Sequence, residues 1–478
     1  MNRRQLIAVV MACVALPLAG CADVLEGKPV SVFADPFSVA GMPATDGPSG
    51  LRPDIDEPAR EVTGTDGGEI DKLAGNAVTD IEEFWSGAFP DAFDGDFKPV
   101  SKLISWNAEG FDDEFCGLDT YGLVNAAYCK LDRSIGWDRG VLLPTLRRDT
   151  GDMGVVMVLA HEYGHSVQRQ AAMAARSTPT LVAEQQADCL AGSYMRWVAE
   201  GNSPRFTLDT GDGLNSVLAA VISFRDPLLS ENEAAGAAID EHGSAFERVS
   251  AFQFGFTDGP SACAGIDVKE IQQRRGDLPV LLPADQTGEL PITEKWVRAM
   301  VDALNASFRP PNPPALSFDA RAAQTCPSAR PSPPASYCPD TNTIVVDLAE
   351  LERLGAQSDE ENALANGDNT AYSVVTSRYM LALQHARGAS LDDAEAALRT
   401  ACLTGLATAK LSKTTSLADG DSLVLTAGDV DEAVSGILTN GLAASDVNGE
   451  SVPSGFSRID AFRLGVLGDQ ERCFKRFA

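Results

Sequence analysis

The chain has 478 residues, with 68 Asp and Glu against 38 Lys and Arg, a formal net charge of -30. Such a surface repels phosphates and anionic headgroups, which excludes nucleic acid as a partner. The length exceeds one ordinary core and predicts two domains, and a hydrophobic content of 44% is that of a globular protein.

The chain opens on a targeting pattern. Arg3 and Arg4 precede an apolar run from Leu6 to Ala19, too short for a comfortable membrane span and suited to a signal peptide. The run ends in Leu18-Ala19-Gly20-Cys21, which looks like a bacterial lipobox. Residues 1–20 are therefore expected to be removed and Cys21 lipidated, leaving the protein on the extracytoplasmic face of the cell membrane. No later stretch is apolar enough to span a bilayer. Residues 21–69, rich in Pro, Gly, Asp and Ser without a sustained period, read as a flexible tether.

An internal repeat begins near Ile70. Cys116, Tyr128-Cys129 and Ile135 to Asp138 recur as Cys326, Tyr337-Cys338 and Ile344 to Asp347. The block from Val158 to Gln168 lines up with Val374 to Gln384, Cys189 and Gly192 with Cys402 and Gly405, and Arg248, Phe252 and Gly255 with Arg458, Phe462 and Gly465. Cys263 and Cys473 close the copies, and the Gly- and Pro-containing stretch from Arg274 to Pro291 divides them.

Within the first copy, residues 99–106 and 127–138 read as strands. Helical spacing of apolar residues marks Met153–Ala175, Leu181–Glu200, Leu214–Phe224 and Ala245–Phe256 as helices. The class is α+β, mostly helical, with short sheets. Of the ten Cys, Cys13 leaves with the signal and Cys21 takes the lipid. Eight remain, four per copy, and an exported chain is expected to pair them within each copy: Cys116–Cys129, Cys189–Cys263, Cys326–Cys338 and Cys402–Cys473. Metal binding by Cys189 is the rival reading. It is set aside because Cys402 persists where the other site residues are gone.

His161-Glu162-Tyr163-Gly164-His165 sets two imidazoles at i and i+4 on one helix face, where both reach one ion, with Glu162 beside its open position. A hydrolytic zinc needs a third protein ligand. Glu184, nineteen positions on, lies on the next helix with Asp188 one turn later, placed to orient a ligand imidazole through its other nitrogen. His242, the remaining His of the first copy, is a candidate donor to a developing oxyanion, or simply opens the fourth helix. Tyr163 and Arg248 have counterparts in Tyr379 and Arg458 and read as fold residues.

Together, His161 to Gln168, Ala187 to Gly192 and His242 to Phe252 resemble the bacterial family of predicted neutral zinc metallopeptidases. Their ligand spacing is similar to that of the wider gluzincin group, and lipobox plus tandem copies look like an actinobacterial lipoprotein peptidase. The resemblance implies His161, His165 and Glu184 as ligands of one zinc per chain and Glu162 as general base. It also implies a peptide or protein substrate and two tandem homologous zincin-like domains, an active one over 70–275 and a degenerate copy over 290–478. In the second copy Ser377, Arg378, Leu381, Ala397, Ala401 and Val452 replace His161, Glu162, His165, Glu184, Asp188 and His242, so it is expected to lack the metal site. Nothing in the pattern requires an oligomer. The competing expectation is a non-catalytic binding or scaffold lipoprotein, which would have no use for Glu162.

Overall fold

A computed structural model of the chain describes residues 35–55, 58, 60–110, 114–230, 242–282, 288–357, 364–417, 420 and 422–478. The signal segment, Cys21 and residues 21–34 lie outside the described residues. No helix among the described residues is long and apolar enough to cross a membrane.

From residue 35 onward the expectation of a tether is corrected. Gly50–Leu51 pairs antiparallel with Phe206–Thr207, and Val62–Thr63 (β1) joins a sheet beside Leu103 and Ile104. Ser49 donates to Asp209 at 2.6 Å, and the Thr45 and Thr210 hydroxyls meet at 3.2 Å. The stretch is polar and aperiodic because its extended pieces are only two residues long. They are held by hydrogen bonds to the body and by single apolar residues, such as Val39 and Val62, set into the core.

The first half starts with α1 (Glu69–Ala92) and the strands β2 (Leu103–Trp106), β3 (Ala126–Tyr128) and β4 (Ile135–Asp138). The sheet order is β1-β2-β4-β3, with β1, β2 and β4 parallel and β3 an antiparallel edge. The segment read as one strand over 127–138 is thus a hairpin, turning at Arg133 with φ of 60°. All four residues of β4 are buried. Its last residue, Asp138, accepts from the amides of Val141 and Leu142 and so starts α2 (Leu142–Gln170). Gly151, at φ 70°, breaks α2 into two segments, and the second carries the His-Glu motif.

α3 (Thr180–Ala199), α4 (Asp212–Ser223), α5 (Ala245–Asp258) and α6 (Val268–Arg275) complete this half. The start of α5 is set by a capping box, Ser244 accepting from the Glu247 amide while Glu247 accepts from the Ser244 amide. α3 and α5 cross backbone to backbone. A Cβ on Gly192 would overlap the Phe252 carbonyl, and one on Gly255 would overlap the Cys189 carbonyl. The Cys189–Cys263 disulfide, with Cα atoms 5.5 Å apart, ties the same crossing.

The second half runs α7 (Glu294–Phe308), β5 (Ala315–Ser317), β6 (Ala335–Cys338), β7 (Thr343–Val346), α8 (Asp368–Ala386), α9 (Ala394–Leu411), α10 (Asp429–Thr439) and α11 (Gly455–Val466). Its sheet order is β5-β7-β6, a parallel pair then an antiparallel one. α9 and α11 cross as closely as α3 and α5, because Gly405 and Gly465 lie against the carbonyls of Phe462 and Cys402. All four expected disulfides are formed.

A single apolar core runs through both halves. They meet where α10 and α11 pack on α4 and α5. There the rings of Phe256 and Phe456 lie 5.0 Å apart, and Asn215 accepts from the Gly455 amide at 2.7 Å. The α3/α5 crossing gives a direct test. Gly255→Ala is expected to destabilise by about 1–3 kcal/mol, because neither backbone can retreat. Gly87→Ala in α1, where a Cβ meets nothing within 4 Å, is expected to be neutral or to stabilise by up to about 1 kcal/mol. Thermal melts of the two variants compare them; equal melting temperatures would contradict the packing described.

Candidate active site

The second segment of α2 is buried along Val155 to Ala160, which leaves the His-Glu turn facing α3. The two helices approach closely at Gly164, where a Cβ would stand 3.0 Å from Ala187 Cα. Any larger residue there would push away the helix carrying Glu184 and Asp188.

This approach brings three sequence-predicted residues together. One donor atom from each of His161, His165 and Glu184 lies within 4.8 Å of the others. His161 Nε2 is 3.0 Å from Glu184 Oε2, and His165 Nε2 is 3.4 Å from Glu184 Oε1. The two rings stand nearly perpendicular, at 86°. Two imidazole nitrogens and a carboxylate oxygen, converging on one point with their other edges held away, fit a zinc site with an open position.

Each ring is fixed from behind. His161 Nδ1 lies 2.8 Å from Asp188 Oδ1, and Asp188 is completely buried. Arg248 on α5 grips that carboxylate with a two-pronged contact, Nη2 to Oδ1 at 2.7 Å and Nε to Oδ2 at 2.9 Å, and its Nη1 donates to the Phe224 carbonyl. His165 Nδ1 meets Gln168 Oε1 at 3.1 Å, and Gln168 donates onward to the Ala183 carbonyl.

Reading Arg248 as a fold residue was therefore incomplete. Arg458, aligned with it in the sequence, bonds among the described residues to Ser451 and to the carbonyls of Val452 and Leu438, whereas Arg248 neutralises the acid behind His161. The usable signal was Asp188 itself, since a carboxylate buried in a helix pair requires a cation. Asp226 had no such signal. It accepts from the amides of His242 and Gly243 at 2.9 and 2.8 Å and sets where His242 stands.

His242 is about one-third exposed, with Nε2 3.5 Å from Glu184 Oε2 and Nδ1 3.5 Å from Asp226 Oδ1. It thus borders the same point from the rim. Glu162 Oε2 accepts from the amide of Tyr128 on edge strand β3 at 3.0 Å. Tyr163 points away, its hydroxyl donating to Glu82 and accepting from the Val100 amide.

The electrostatics follow from these contacts. Burial favours neutral His161, but the carboxylates of Asp188 and then Glu184 outweigh it and raise the imidazole to about 10. Burial pushes Glu184 up, yet hydrogen bonds to His161 and His165 bring it well below the usual carboxylate range. Burial likewise opposes ionised Asp188, which Arg248 and then His161 hold in that form. The hydrogen bond to Asp226 raises His242, against burial and with help from Glu184. A divalent cation bound by these donors would displace the protons that the carboxylates retain on the imidazoles.

The residues that the sequence aligns with this motif in the second half are packed differently. Ser377 and Leu381 are fully buried, Ser377 bonding back to its own helix. Arg378 is fully buried and donates to the Ala335 carbonyl on β6 and to Ser445. Residues 35–266 match the model of a family described as putative neutral zinc metallopeptidase. Neither the curated proteins nor the solved structures give a match.

Proposed function

Residues 35–266 belong to that metallopeptidase family, and from this we propose that the protein hydrolyses peptide bonds at His161, Glu162, His165 and Glu184. One observation carries the reading: the three donors converge while a buried Asp188–Arg248 pair holds His161 from behind. Zinc bound by His161, His165 and Glu184 would polarise the scissile carbonyl and lower the pKa of water to about 7.

The chain's own groups do the rest. Glu162, anchored through Oε2 by the Tyr128 amide, keeps its other oxygen to take a proton from the attacking water and pass it to the leaving amine. His242, whose proton is retained by Asp226 and Glu184, donates to the carbonyl oxygen as negative charge develops on it. Strand β3, the edge of its sheet among the described residues and beside Glu162, suits an extended peptide taken from its interior, which favours endopeptidase action.

The second half is proposed to be a degenerate copy without zinc, in which Arg378 replaces the base and seals the sheet edge that Glu162 serves in the first. Anchoring by lipid at Cys21 on the extracytoplasmic face of the cell membrane is proposed from the N-terminal motif. Four disulfides support an oxidising compartment. The test is digestion of an unstructured protein by the purified full chain. Cleavage is expected to stop with a chelator, to return with zinc, and to be absent in Glu184→Ala. Cleavage insensitive to both treatments would contradict the proposal.

A further inference from the structure

Away from this centre, the N-termini of α8 and α10 converge on four carboxylates. Asp368 is the first residue of α8; Asp429 and Glu432 lie in the first turn of α10; Glu289 comes from the segment joining the halves. Asp368, Asp429 and Glu432 are 3%, 5% and 8% exposed. Oxygens of Glu289, Asp368 and Glu432 lie within 4.8 Å of one another, and the Asp429 carboxyl is within hydrogen-bonding reach of Asp368.

Amides hold the outer lone pairs. Leu290 donates to Asp368 Oδ2, Asn369 to Glu432 Oε2 at 2.7 Å, and Asp368 to Glu289 Oε2 at 3.3 Å. Thr426 donates to Asp429 Oδ2 through both its amide and its hydroxyl. Among the described residues, however, Asp368 Oδ1 is buried and meets no N–H or hydroxyl donor. No Lys or Arg is among the largest influences on Asp368, Asp429 or Glu432, and the adjoining segments 283–287 and 358–363 contain none in sequence.

Two helix N-termini offset only part of such a charge. Buried carboxylates in this number need a cation or protons.

We propose that Glu289, Asp368, Asp429 and Glu432 form a calcium site. Calcium takes about 6–8 oxygen ligands in flexible geometry and accepts several carboxylates at once, whereas magnesium demands a stricter octahedron and keeps its waters. Oxygen-only donors also separate this site from the zinc centre with its imidazoles. Burial is the main reason the ion-free carboxyls are driven up, Asp368 to about 6 and Glu432 to about 10, with mutual repulsion adding to it.

The consequence reaches the active half. Between the two α10 ligands that flank it, Asp431 accepts from the Phe246 amide at 3.2 Å, at the start of the helix that carries Arg248. Calcium would thus fix the element against which α5 is seated.

The test uses the full chain with its zinc in place, dialysed free of calcium and titrated with calcium chloride, with magnesium chloride in parallel. One calcium per chain is expected by calorimetry, with a rise of several degrees in melting temperature at millimolar calcium and little response to magnesium. Glu432→Gln and Asp429→Asn each remove a buried like charge. They are expected to melt at or above the parent temperature without calcium, to keep their zinc, and to lose the calcium response. No binding heat and no melting shift at millimolar calcium would overturn the proposal, as would a shift that persists in both variants.

Discussion

Glu162→Gln is expected to keep the fold and the metal and to lose about 10²–10⁴-fold in peptide hydrolysis, the range a positioned general base supplies. The geometry makes this substitution clean. Glutamine retains an oxygen to accept from the Tyr128 amide, the contact that holds Glu162 at 3.0 Å from edge strand β3. His161, His165 and Glu184 are untouched, so the metal content of the variant should equal that of the parent. What disappears is an oxygen basic enough to take a proton from water. Steady-state hydrolysis with parallel zinc analysis reads both halves of the prediction. Undiminished cleavage would remove Glu162 from the mechanism, and a loss of zinc would make it a ligand instead.

The second large effect lies one layer out. Asp188→Asn should weaken zinc binding by about 10–100-fold, because His161 loses the carboxylate on its Nδ1 side. It should also destabilise the protein by about 3–5 kcal/mol, because Arg248, only 3% exposed, keeps its charge without a partner. The two effects have different causes and can be separated. In the double variant Asp188→Asn, Arg248→Met the unpaired cation is gone, so much of the stability should return while zinc affinity stays low. Chelator competition measures the affinity and denaturant melts the stability. Recovery of both together would mean that Arg248, rather than the Asp188 carboxylate, governs the metal.

Much of the site is legible in the sequence because it is locally encoded. The i, i+4 spacing of His161 and His165 is a property of one helix, and Glu184 and Asp188 repeat that spacing on the next. The cysteine pairs were readable for another reason, since an even set of eight cysteines recurring at matching spacings in the sequence restricts the pairing. What escaped depends on contacts between distant segments. Arg248 and Asp188 meet across 60 positions, and the match to Arg458 pointed to a role in the fold alone. Asp226 acts through backbone amides, which leave no trace in side-chain pattern. The carboxylate cluster gathers residues 289, 368, 429 and 432, each unremarkable in a chain with 68 acids.

The fold shows the same division. Four helices of the first half were marked by apolar periodicity to within a few residues, apart from the start of α2, where the glycine break at Gly151 hid an added segment. The short strands before α1 were missed because two-residue pairings carry no period at all.

The most direct measurement is metal analysis of the purified full chain with X-ray absorption at the zinc edge. One zinc per chain is expected, coordinated by two imidazoles and carboxylate oxygen without sulfur, and lost in His161→Ala and His165→Ala. Sulfur in the coordination shell, two zinc ions per chain, or zinc retained in both variants would contradict the central claim that His161, His165 and Glu184 hold the single catalytic metal.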